Sequence, residues 1–560
     1  MKKIVYLAFM AVAFIQCKAA ETQLKTPPTL ATEDKQIFTK PKLVVGIVVD
    51  QMRYDYLTRF WDKYQADGFK RLINEGFVFK NNHFNYVPTY TGPGHTSVFT
   101  GTSPAVHGII GNNWYDKEEK TSVYCAQDDE VNSVGTQDKA GKMSPKRMKT
   151  TTFADQNRLH TQFKGKTIGV AIKDRGAILP AGHSANAAYW FHGKDEGKFI
   201  SSTYYLNELP TWVKDFNTSG VVASYLKVWD TKYPIETYTE STTDHNNYEH
   251  GFRGKETATF PYDLAKLKDK NKNFEILKAT PYGNSLTVDF ALAAIKGEQL
   301  GADAYTDVLT LSFSSPDYIG HNFGVSSKEI QDNYLRLDQD LARLLTQLDK
   351  LVGEGEYTVF LTSDHGAVEV PAYLQDHKIP AGYFDVASFS DDLRAFTKTQ
   401  FGSENIIEDI SNNQLFFNKE ELKKQKLSSI EVENKLKEFL ITYPLIDKVF
   451  TRNTLENTYY NEGVIGYLVQ NGYNQKRSGD VVVAFDPGYV IYPKKGSTHG
   501  TAFNYDTHSP LIFFGKGIKN GQTLQRSYIT DIAPTISALL GVAFPNAATG
   551  DVLYQALEDD

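Results

Sequence analysis

Short apolar runs rich in β-branched residues, each followed closely by polar side chains, constrain the fold of this chain most. The first run, residues 43–49 (LVVGIVV), ends at Asp50. A continuous run of this kind is typical of a strand that is buried on both faces, as in a parallel sheet covered by helices. Similar runs at 167–172, 307–313, 357–361, 480–485 and 511–514 indicate further strands.

Segments with helical patterns alternate with these strands. Apolar residues recur at three- and four-residue spacing from Ile330 to Leu351, which indicates a long amphipathic helix. Ser326 and Glu329 have the spacing of a capping box, so we expect that helix to begin at Ser326. Shorter helices are predicted at 68–74, 285–300, 429–440 and 530–540. The alternation predicts an α/β fold with a mostly parallel central sheet.

The length of 560 residues allows several domain-sized units, or one large α/β domain with insertions. Two stretches interrupt the alternation of strand and helix. Residues 176–280 are rich in Tyr, Trp, Asn, Thr and Gly, and residues 370–480 are mixed and charged. We interpret both as inserted cap or lobe segments in a single catalytic domain that covers residues 42–560.

The N-terminus has the pattern of a secretory signal peptide over residues 1–20. Lys2 and Lys3 precede an apolar stretch at 4–15, and Ala19 and Ala20 follow it. A polar linker at 21–41 separates this segment from the first strand. No later stretch reaches the roughly 18 apolar residues of a membrane-spanning helix, so we expect a periplasmic or secreted protein without a transmembrane segment. A lipid anchor at Cys17 is the less favoured alternative, because Gln16 is a poor residue before it.

The net charge argues against one class of partner, and the cysteine content excludes an intramolecular disulfide. Loss of Lys2, Lys3 and Lys18 with the signal peptide changes the formal charge from −7 to −10, which argues against a nucleic-acid partner bound through a basic surface. Cys125 is then the single remaining cysteine, so no intramolecular disulfide is available. An exported chain of this kind depends on its core and on bound metals for stability.

Six potential metal ligands occur at four separate places, mostly just after strand ends. Three aspartates and three histidines are sufficient for two zinc ions with three protein ligands each. A threonine, Thr91, lies in a turn rich in Gly and Pro. Two close divalent cations beside a hydroxyl nucleophile are the apparatus of in-line phosphoryl transfer. The six ligands are Asp50, Asp317, His321, Asp364, His365 and His499.

Each ligand also has a simpler interpretation when it is considered alone. Asp50 could cap a helix, and His321 or His499 could be an ordinary core histidine with satisfied hydrogen bonds. Asp317 and His321 are four residues apart, so one helical turn can bring both to the same ion. Because the carboxyl ends of parallel strands meet at one edge of a sheet, the separated ligands can converge there.

Taken together, the motifs resemble the alkaline phosphatase superfamily, and more closely its PafA-type enzymes, the phosphate-irrepressible alkaline phosphatases of flavobacterial type. The shared motifs are 48–50 (VVD), the turn 88–96, Asp317-x3-His321, 363–366 (SDHG), 498–500 (THG), 107–116, 173–175 (KDR), 178–183 and 320–324. The resemblance extends from about Lys42 to the C-terminal helix and includes both insertions. It implies an alkaline-phosphatase-like three-layer sandwich with inserted cap or lobe segments.

The resemblance also implies roles for individual residues. It implies two Zn²⁺ ions per chain, with Thr91 as the nucleophile that forms a covalent phosphothreonine intermediate and as a ligand of the second ion. Thr89 is the competing threonine, and His95 and Thr96 are interpreted as packing residues of the turn. The phosphate oxygens would be bound by Asn112, Lys173 and Arg175. One ion would be held by Asp317, His321 and His499, the other by Asp50, Asp364 and His365.

We therefore expect a phosphate monoesterase of broad range that acts on small molecules as a monomer. The alternative is a phosphodiesterase or nucleotide pyrophosphatase, which has the same metal core. Lys173 and Arg175 favour the monoesterase because a monoester carries a second negative charge. A sulfatase is disfavoured since Cys125 lacks the required Cys/Ser-x-Pro-x-Arg context. A non-catalytic binding protein is disfavoured because Thr91 accompanies a complete ligand set.

Overall fold

The computed structural model describes residues 40–558. The predicted signal peptide with Cys17, and the predicted linker up to residue 39, lie outside the described residues. Within residues 40–558, no helix is both long enough and apolar enough to cross a membrane.

Fourteen strands form the two larger sheets of the structure. In chain order they are β1 (Leu43–Val49), β2 (Phe77–Phe79), β3 (Ser133–Val134), β4 (Thr167–Ala171), β5 (Ala187–His192), β6 (Lys198–Ser202), β7 (Asp307–Phe313), β8 (Tyr357–Thr362), β9 (Ile407–Ser411), β10 (Gln414–Phe417), β11 (Ile446–Thr451), β12 (Val481–Phe485), β13 (Leu511–Gly515) and β14 (Gly521–Thr523).

The larger sheet contains ten strands in the order β14-β2-β13-β8-β1-β7-β4-β5-β6-β3. Its five central strands, from β8 to β5, are all parallel to their neighbours. Antiparallel pairs begin on both sides of this block, at β8–β13 and at β5–β6. The predicted α/β fold with a mostly parallel central sheet is therefore confirmed.

Helices cover both faces of the large sheet. The main helices are α1 (Phe69–Glu75), α2 (Thr91–Thr100), α3 (Phe153–His160), α4 (Asp174–Ala181), α5 (Thr211–Thr218), α6 (Pro281–Glu298), α7 (Ser315–Phe323), α8 (Lys328–Leu348), α9 (Val386–Phe401), α10 (Lys419–Gln425), α11 (Ser429–Leu440), α12 (Ile465–Gly472) and α13 (Ile532–Leu539).

The alternation of side chains along the strands explains the two helical layers. All seven residues of β1 are buried. On one face, Val45 and Val49 belong to the same apolar cluster as Leu341 of α8. On the other face, Phe360 of β8 packs against Phe99 of α2, with ring centroids 5.6 Å apart. Because both faces are covered, the strands need apolar residues at every position, as the sequence shows.

Four adjacent parallel strands deliver predicted site residues at one edge of the sheet. Asp50 follows β1 directly, and its amide donates a hydrogen bond of 3.0 Å to the carbonyl of Phe313, the last residue of β7. Asp317 lies in the first turn of α7, which follows β7. Asp364 follows β8 by two residues, and Lys173 follows β4 by two residues. The edge formed by the carboxyl ends of β8, β1, β7 and β4 therefore positions the candidate site.

Three strands of the smaller sheet, β9 to β11, lie within the second predicted insertion at 370–480, and β12 follows directly after it. The four strands of this sheet are ordered β9-β10-β12-β11, and the sheet has its own apolar cluster, which includes Phe389, Leu415 and Val483. We call residues 382–490 the lobe. Strands β5 and β6 of the large sheet lie within the range 176–280. The large sheet therefore continues beyond residue 176, where we expected the first insertion to begin.

One predicted helix start is wrong by one residue. The cap of α8 is Ser327, whose hydroxyl accepts a hydrogen bond of 3.2 Å from the amide of Ile330. Ser326 instead donates its hydroxyl hydrogen to Glu369, and Glu329 is buried and accepts from the hydroxyl of Tyr262. The spacing of a capping box was present, but tertiary partners of both side chains prevented it from forming.

We expect the substitution Ser327→Ala to lower the free energy of unfolding by about 1 kcal/mol, because it removes the N-cap acceptor of α8. Ser327→Thr is the matched control, since it keeps a hydroxyl that can also donate to Gly324. Equilibrium urea denaturation measures both. Equal stability of the Ser327→Ala protein and the unmodified protein would contradict the assignment of this cap.

Candidate active site

The first group of potential ligands joins the ends of β1 and β8. Asp50, Asp364 and His365 are buried, and each offers a ligand atom within 4.8 Å of the others. Nε2 of His365 lies 3.5 Å from Oδ1 of Asp50 and 3.4 Å from Oδ2 of Asp364. Oδ1 of Asp50 accepts no hydrogen bond from any residue in the described range. A buried carboxylate oxygen without a donor fits a cation-binding role.

The second group joins α7 to the loop that contains His499. Asp317, His365 and His499 offer ligand atoms within 4.8 Å of one another. Oδ1 of Asp317 lies 3.6 Å from Nε2 of His499 and 3.2 Å from Nε2 of His321. The rings of His365 and His499 stack with centroids 3.5 Å apart, which connects the two groups. All six predicted ligands thus lie in one cluster, whereas their division between two ions stays a prediction.

Backbone carbonyl groups orient the three histidines. Nδ1 of His321 lies 2.7 Å from the carbonyl oxygen of Ser497, and Nδ1 of His365 lies 2.9 Å from that of Gly366. Nδ1 of His499 lies 2.7 Å from the carbonyl oxygen of Thr89. A carbonyl can only accept, so each Nδ1 carries the hydrogen and each Nε2 presents a lone pair to the carboxylates. This is the usual arrangement of metal-binding histidines.

Burial and neighbouring charges shift the pKa values of the potential ligands in different directions. Burial raises the pKa of Asp50 well above its usual range. Burial acts in the same direction on Asp317, but His321 in its protonated form and the Lys173 ammonium outweigh it and hold the pKa of Asp317 well below its usual value. Burial lowers the pKa of His365 and of His499, which favours the neutral imidazole that binds metals. The donor set of carboxylates and neutral imidazoles fits zinc.

Lys173 is a counter-ion within the carboxylate cluster. Its Nζ lies 2.7 Å from Oδ2 of Asp50 and 2.6 Å from Oδ2 of Asp317. Burial lowers the pKa of Lys173, but the two carboxylates outweigh burial and raise it above its usual value. One buried ammonium thus faces three buried carboxylates, which leaves excess negative charge for cations to neutralise.

Thr91 is the first residue of α2 and lies against both ligand groups. Its Oγ1 is 3.4 Å from Nε2 of His365. The next amide, of Gly92, donates a hydrogen bond of 2.8 Å to Oδ1 of Asn112. A Cβ at Gly94 would come within 2.2 Å of the carbonyl oxygen of Asp364, so only glycine allows the helix to approach so closely. The hydroxyl therefore lies between the ligand cluster and Asn112, whose Oδ1 accepts from the amide of Gly92.

The neighbouring residues of the turn have structural partners. The hydroxyl of Thr89 donates a hydrogen bond of 3.1 Å to the carbonyl of Thr501, which is not one of the potential ligands. The ring of His95 lies 2.9 Å from the carbonyl oxygen of Thr91 and 3.3 Å from Oδ2 of Asp364. Its other nitrogen is 2.8 Å from the hydroxyl of Ser312. His95 thus connects the turn to Ser312 of β7 and lies beside the potential ligand Asp364.

Arg175 lies beside a β-hairpin formed by residues 113–116, which follow Asn112, and residues 121–124. Its Nη1 donates a hydrogen bond of 3.1 Å to the hydroxyl of Tyr124, which is itself hydrogen-bonded to Asp174. Tyr124 pairs across this hairpin with Asn113, the neighbour of Asn112. Asn112 thus contacts the turn of Thr91 through the amide of Gly92, and Arg175 contacts the same hairpin through Tyr124. The role of Asn112, Lys173 and Arg175 as phosphate-binding groups stays a prediction.

Two residues of this site were not predicted from the sequence. The amide of Gln51 donates to Oδ1 of Asp364 at 3.0 Å, and its Nε2 donates to Oδ1 of Asp317 at 2.8 Å. Gln51 therefore connects the two ligand groups. Its backbone is left-handed, with φ of 63°, a conformation that glutamine rarely adopts. Tyr124 is the second such residue. Its hydrogen bond to Arg175 joins segments that are distant in the sequence, so residue spacing does not reveal it.

Comparison with known proteins identifies the family. Residues 44–510 match the family model of type I phosphodiesterase / nucleotide pyrophosphatase. The chain is 45% identical to the alkaline phosphatase PafA of Elizabethkingia meningoseptica, over 94% of this chain and 96% of that protein. It is 46% identical to a protein of Myroides odoratus named calcium-transporting ATPase, over 93% of this chain and 95% of that protein. A crystal structure of wild-type alkaline phosphatase PafA superposes with a TM-score of 0.89 at 46% identity, over 93% of this chain and 99% of that one.

The chain belongs to the type I phosphodiesterase / nucleotide pyrophosphatase family. Within that family, the predicted resemblance to the PafA-type alkaline phosphatases is confirmed, as is the alkaline-phosphatase-like fold.

We expect Gln51→Leu to weaken Zn²⁺ binding by about tenfold to a hundredfold, because the side chain orients a ligand without touching the ion. Gly320→Ala should have a similar effect, since its Cβ would approach Oε1 of Gln51 to 1.8 Å. Competition with a chromophoric chelator measures the affinity. Gln162→Leu is the matched control, because Gln162 is exposed and also left-handed, with φ of 53°. Similar Zn²⁺ affinity in all variants would refute the role of Gln51.

Proposed function

We propose that this protein hydrolyses phosphate monoesters of small molecules through a covalent phosphothreonine on Thr91. The observation that carries the proposal is the position of the Thr91 hydroxyl, 3.4 Å from Nε2 of His365 and next to the amide that binds Asn112. This position supports the proposal because the hydroxyl of Thr91 lies beside both the potential metal ligands and Asn112 at the first turn of α2.

Two Zn²⁺ ions are the metals that the donor set favours, three protein residues to each. Asp317, His321 and His499 would hold one ion, and Asp50, Asp364 and His365 would hold the other. When bound, the ions would lower the pKa of the Thr91 hydroxyl and stabilise negative charge on the leaving oxygen beside Asp317, His321 and His499.

The chain's own residues then support two displacements at phosphorus. Oγ1 of Thr91 forms a bond to phosphorus, the bond from phosphorus to the ester oxygen breaks, and the released alcohol takes up a proton. Water then attacks the phosphothreonine, which releases inorganic phosphate and restores the hydroxyl. Asn112, Lys173 and Arg175 are the donors for the non-bridging oxygens. Arg175 can contact two oxygens at once, whereas Lys173 offers a single charge.

A phosphodiesterase or nucleotide pyrophosphatase is the alternative within the same family. Such an enzyme must accept an organic group at the position where a monoester has a second charged oxygen. The two cations Lys173 and Arg175 favour the monoester, because each charge-assisted hydrogen bond is worth about 1.5–3 kcal/mol. We further propose that the protein is exported by residues 1–20 to the periplasm or the medium and acts as a monomer.

Thr91→Ala should lower turnover of p-nitrophenyl phosphate by about a thousandfold or more, because the nucleophile is lost. Thr89→Ala tests the competing threonine and should retain most activity. Mass spectrometry after an acid quench should find a phosphorylated peptide in the unmodified protein that places the phosphate on Thr91. Full turnover by the Thr91→Ala protein would exclude the covalent mechanism.

Arg175→Ala should reduce kcat/KM for p-nitrophenyl phosphate by about tenfold to a hundredfold and affect methyl p-nitrophenyl phosphate much less. The reason is that Arg175 contacts the extra negative charge of the monoester. Lys173→Ala together with Arg175→Ala should enlarge the difference, although Lys173 also neutralises Asp50 and Asp317. Equal losses on both substrates for Arg175→Ala would favour the diesterase.

A further inference from the structure

An apolar cleft of about 300 Å³ opens beside Tyr90, between the turn that carries Thr91 and the lobe. Side chains from three lobe segments form its walls, namely the start of α9, the hairpin β9–β10 and strand β12. Within the described part of the chain, its lining contains no charged residue, and Asn412 and Asn413 supply its amides. The lining of the cleft includes Tyr90, Phe384, Val386, Phe389 and Ile491.

Tyr90 lies between the cleft and the candidate active site. This residue directly precedes Thr91, and its ring meets the ring of His499 edge-on with centroids 5.6 Å apart. In the proposed mechanism, His499 belongs to the ligand set beside the leaving oxygen. An organic group attached to that oxygen therefore extends past His499 towards Tyr90, where the cleft begins.

The lobe that forms the cleft is fixed to the phosphate-binding segment. Asn412 and Asn413 have left-handed backbones, with φ of 52° and 59°, and form the tip of the hairpin β9–β10. Nδ2 of Asn412 donates a hydrogen bond of 2.7 Å to the carbonyl of Asn113. This hydrogen bond fixes the position of the cleft relative to Asn112, so every substrate bound at Asn112 faces the same cleft walls.

Two apolar side chains that line the cleft, Val386 and Ile491, are exposed to solvent. Ile491 is 48% exposed and Val386 is 37% exposed, while Phe384 and Phe389 behind them are buried. Adjacent exposed apolar residues beside a reactive group are typical of a ligand-binding surface. The lining is unsuited to a charged or strongly hydrated group, because burial of such a group without partners is unfavourable.

We infer that this cleft binds the organic group of the substrate, so that the protein prefers phosphate monoesters of aliphatic or aromatic alcohols to those of very small or charged alcohols. The inference rests on the proposed monoesterase function and adds a substrate class to it. Ile491 and Val386 are specificity-determining residues in this scheme, whereas Thr91 and the phosphate donors remain common to all substrates.

Hexyl phosphate and ethyl phosphate provide a direct comparison, since both are esters of primary alcohols of similar acidity. Each methylene removed from water favours binding by about fourfold, so hexyl phosphate should have a kcat/KM about tenfold or more above that of ethyl phosphate even with partial burial. Equal values for the two esters in the unmodified protein would overturn the inference while leaving the monoesterase intact. Hydrolysis of neither ester would instead reject the proposed function, and the inference with it.

Ile491→Asp should lower the ratio of kcat/KM for hexyl phosphate to that for ethyl phosphate by about tenfold, because it places a charge at the mouth of the cleft. Ile441→Asp is the matched control, since Ile441 is 47% exposed in the lobe but does not line the cleft. The control should leave the ratio unchanged. Ile491→Ser removes apolar surface without adding charge and should lower the ratio by about threefold. An unchanged ratio in both Ile491 variants, or an equal fall in the Ile441 control, would refute the role of the cleft.

Discussion

The concentration of buried negative charge at one edge of the large sheet is the constraint on which the rest of the site depends. Asp50, Asp317 and Asp364 are buried together, and Lys173 is the one buried ammonium in contact with two of them. Unpaired carboxylates in such an environment destabilise a fold strongly. Three neutral imidazoles supply lone pairs and no positive charge, so they complete a donor set for cations. The fold therefore couples its own stability to metal binding, which matters for a chain whose described residues contain a single, buried cysteine.

Parallel strand geometry explains why this cluster could be predicted from the sequence. The runs ending before Asp50, Asp317, Asp364 and Lys173 belong to four neighbouring strands, and parallel strands place their carboxyl ends at one edge. The β-branched runs identified the strands because both faces are covered. The helix that carries Asp317 also carries His321 one turn later, so Nε2 of His321 lies close to Oδ1 of Asp317. Local pattern and fold topology agree at these positions, so the convergence of the potential ligands could be expected before any contact was known.

Other features depend on contacts between distant segments and could not be predicted in this way. Gln51 connects Asp317 with Asp364 only because its backbone is left-handed, and spacing does not encode that. Tyr124 reaches Arg175 across a hairpin. The helix start at Ser326 was mistaken because Glu369 binds that hydroxyl. The extent of the first insertion was also misjudged, since β5 and β6 are apolar strands at the margin of the large sheet and lie within a stretch of weak periodicity.

The site separates a shared chemical core from the parts that select a substrate. Asp, His and Thr side chains at strand ends can serve any phosphoryl transfer, so they do not distinguish a monoester from a diester. In the proposed function, that distinction depends on positive charge around the non-bridging oxygens, so Lys173 and Arg175 would affect substrate choice more than the metal ligands would. We propose that the organic group is selected by a different structure, the lobe, whose hairpin contacts Asn113 next to Asn112. Because the phosphate donors and the apolar walls meet at that contact, changes in the lobe can alter the preferred alcohol without disturbing the metal ligands.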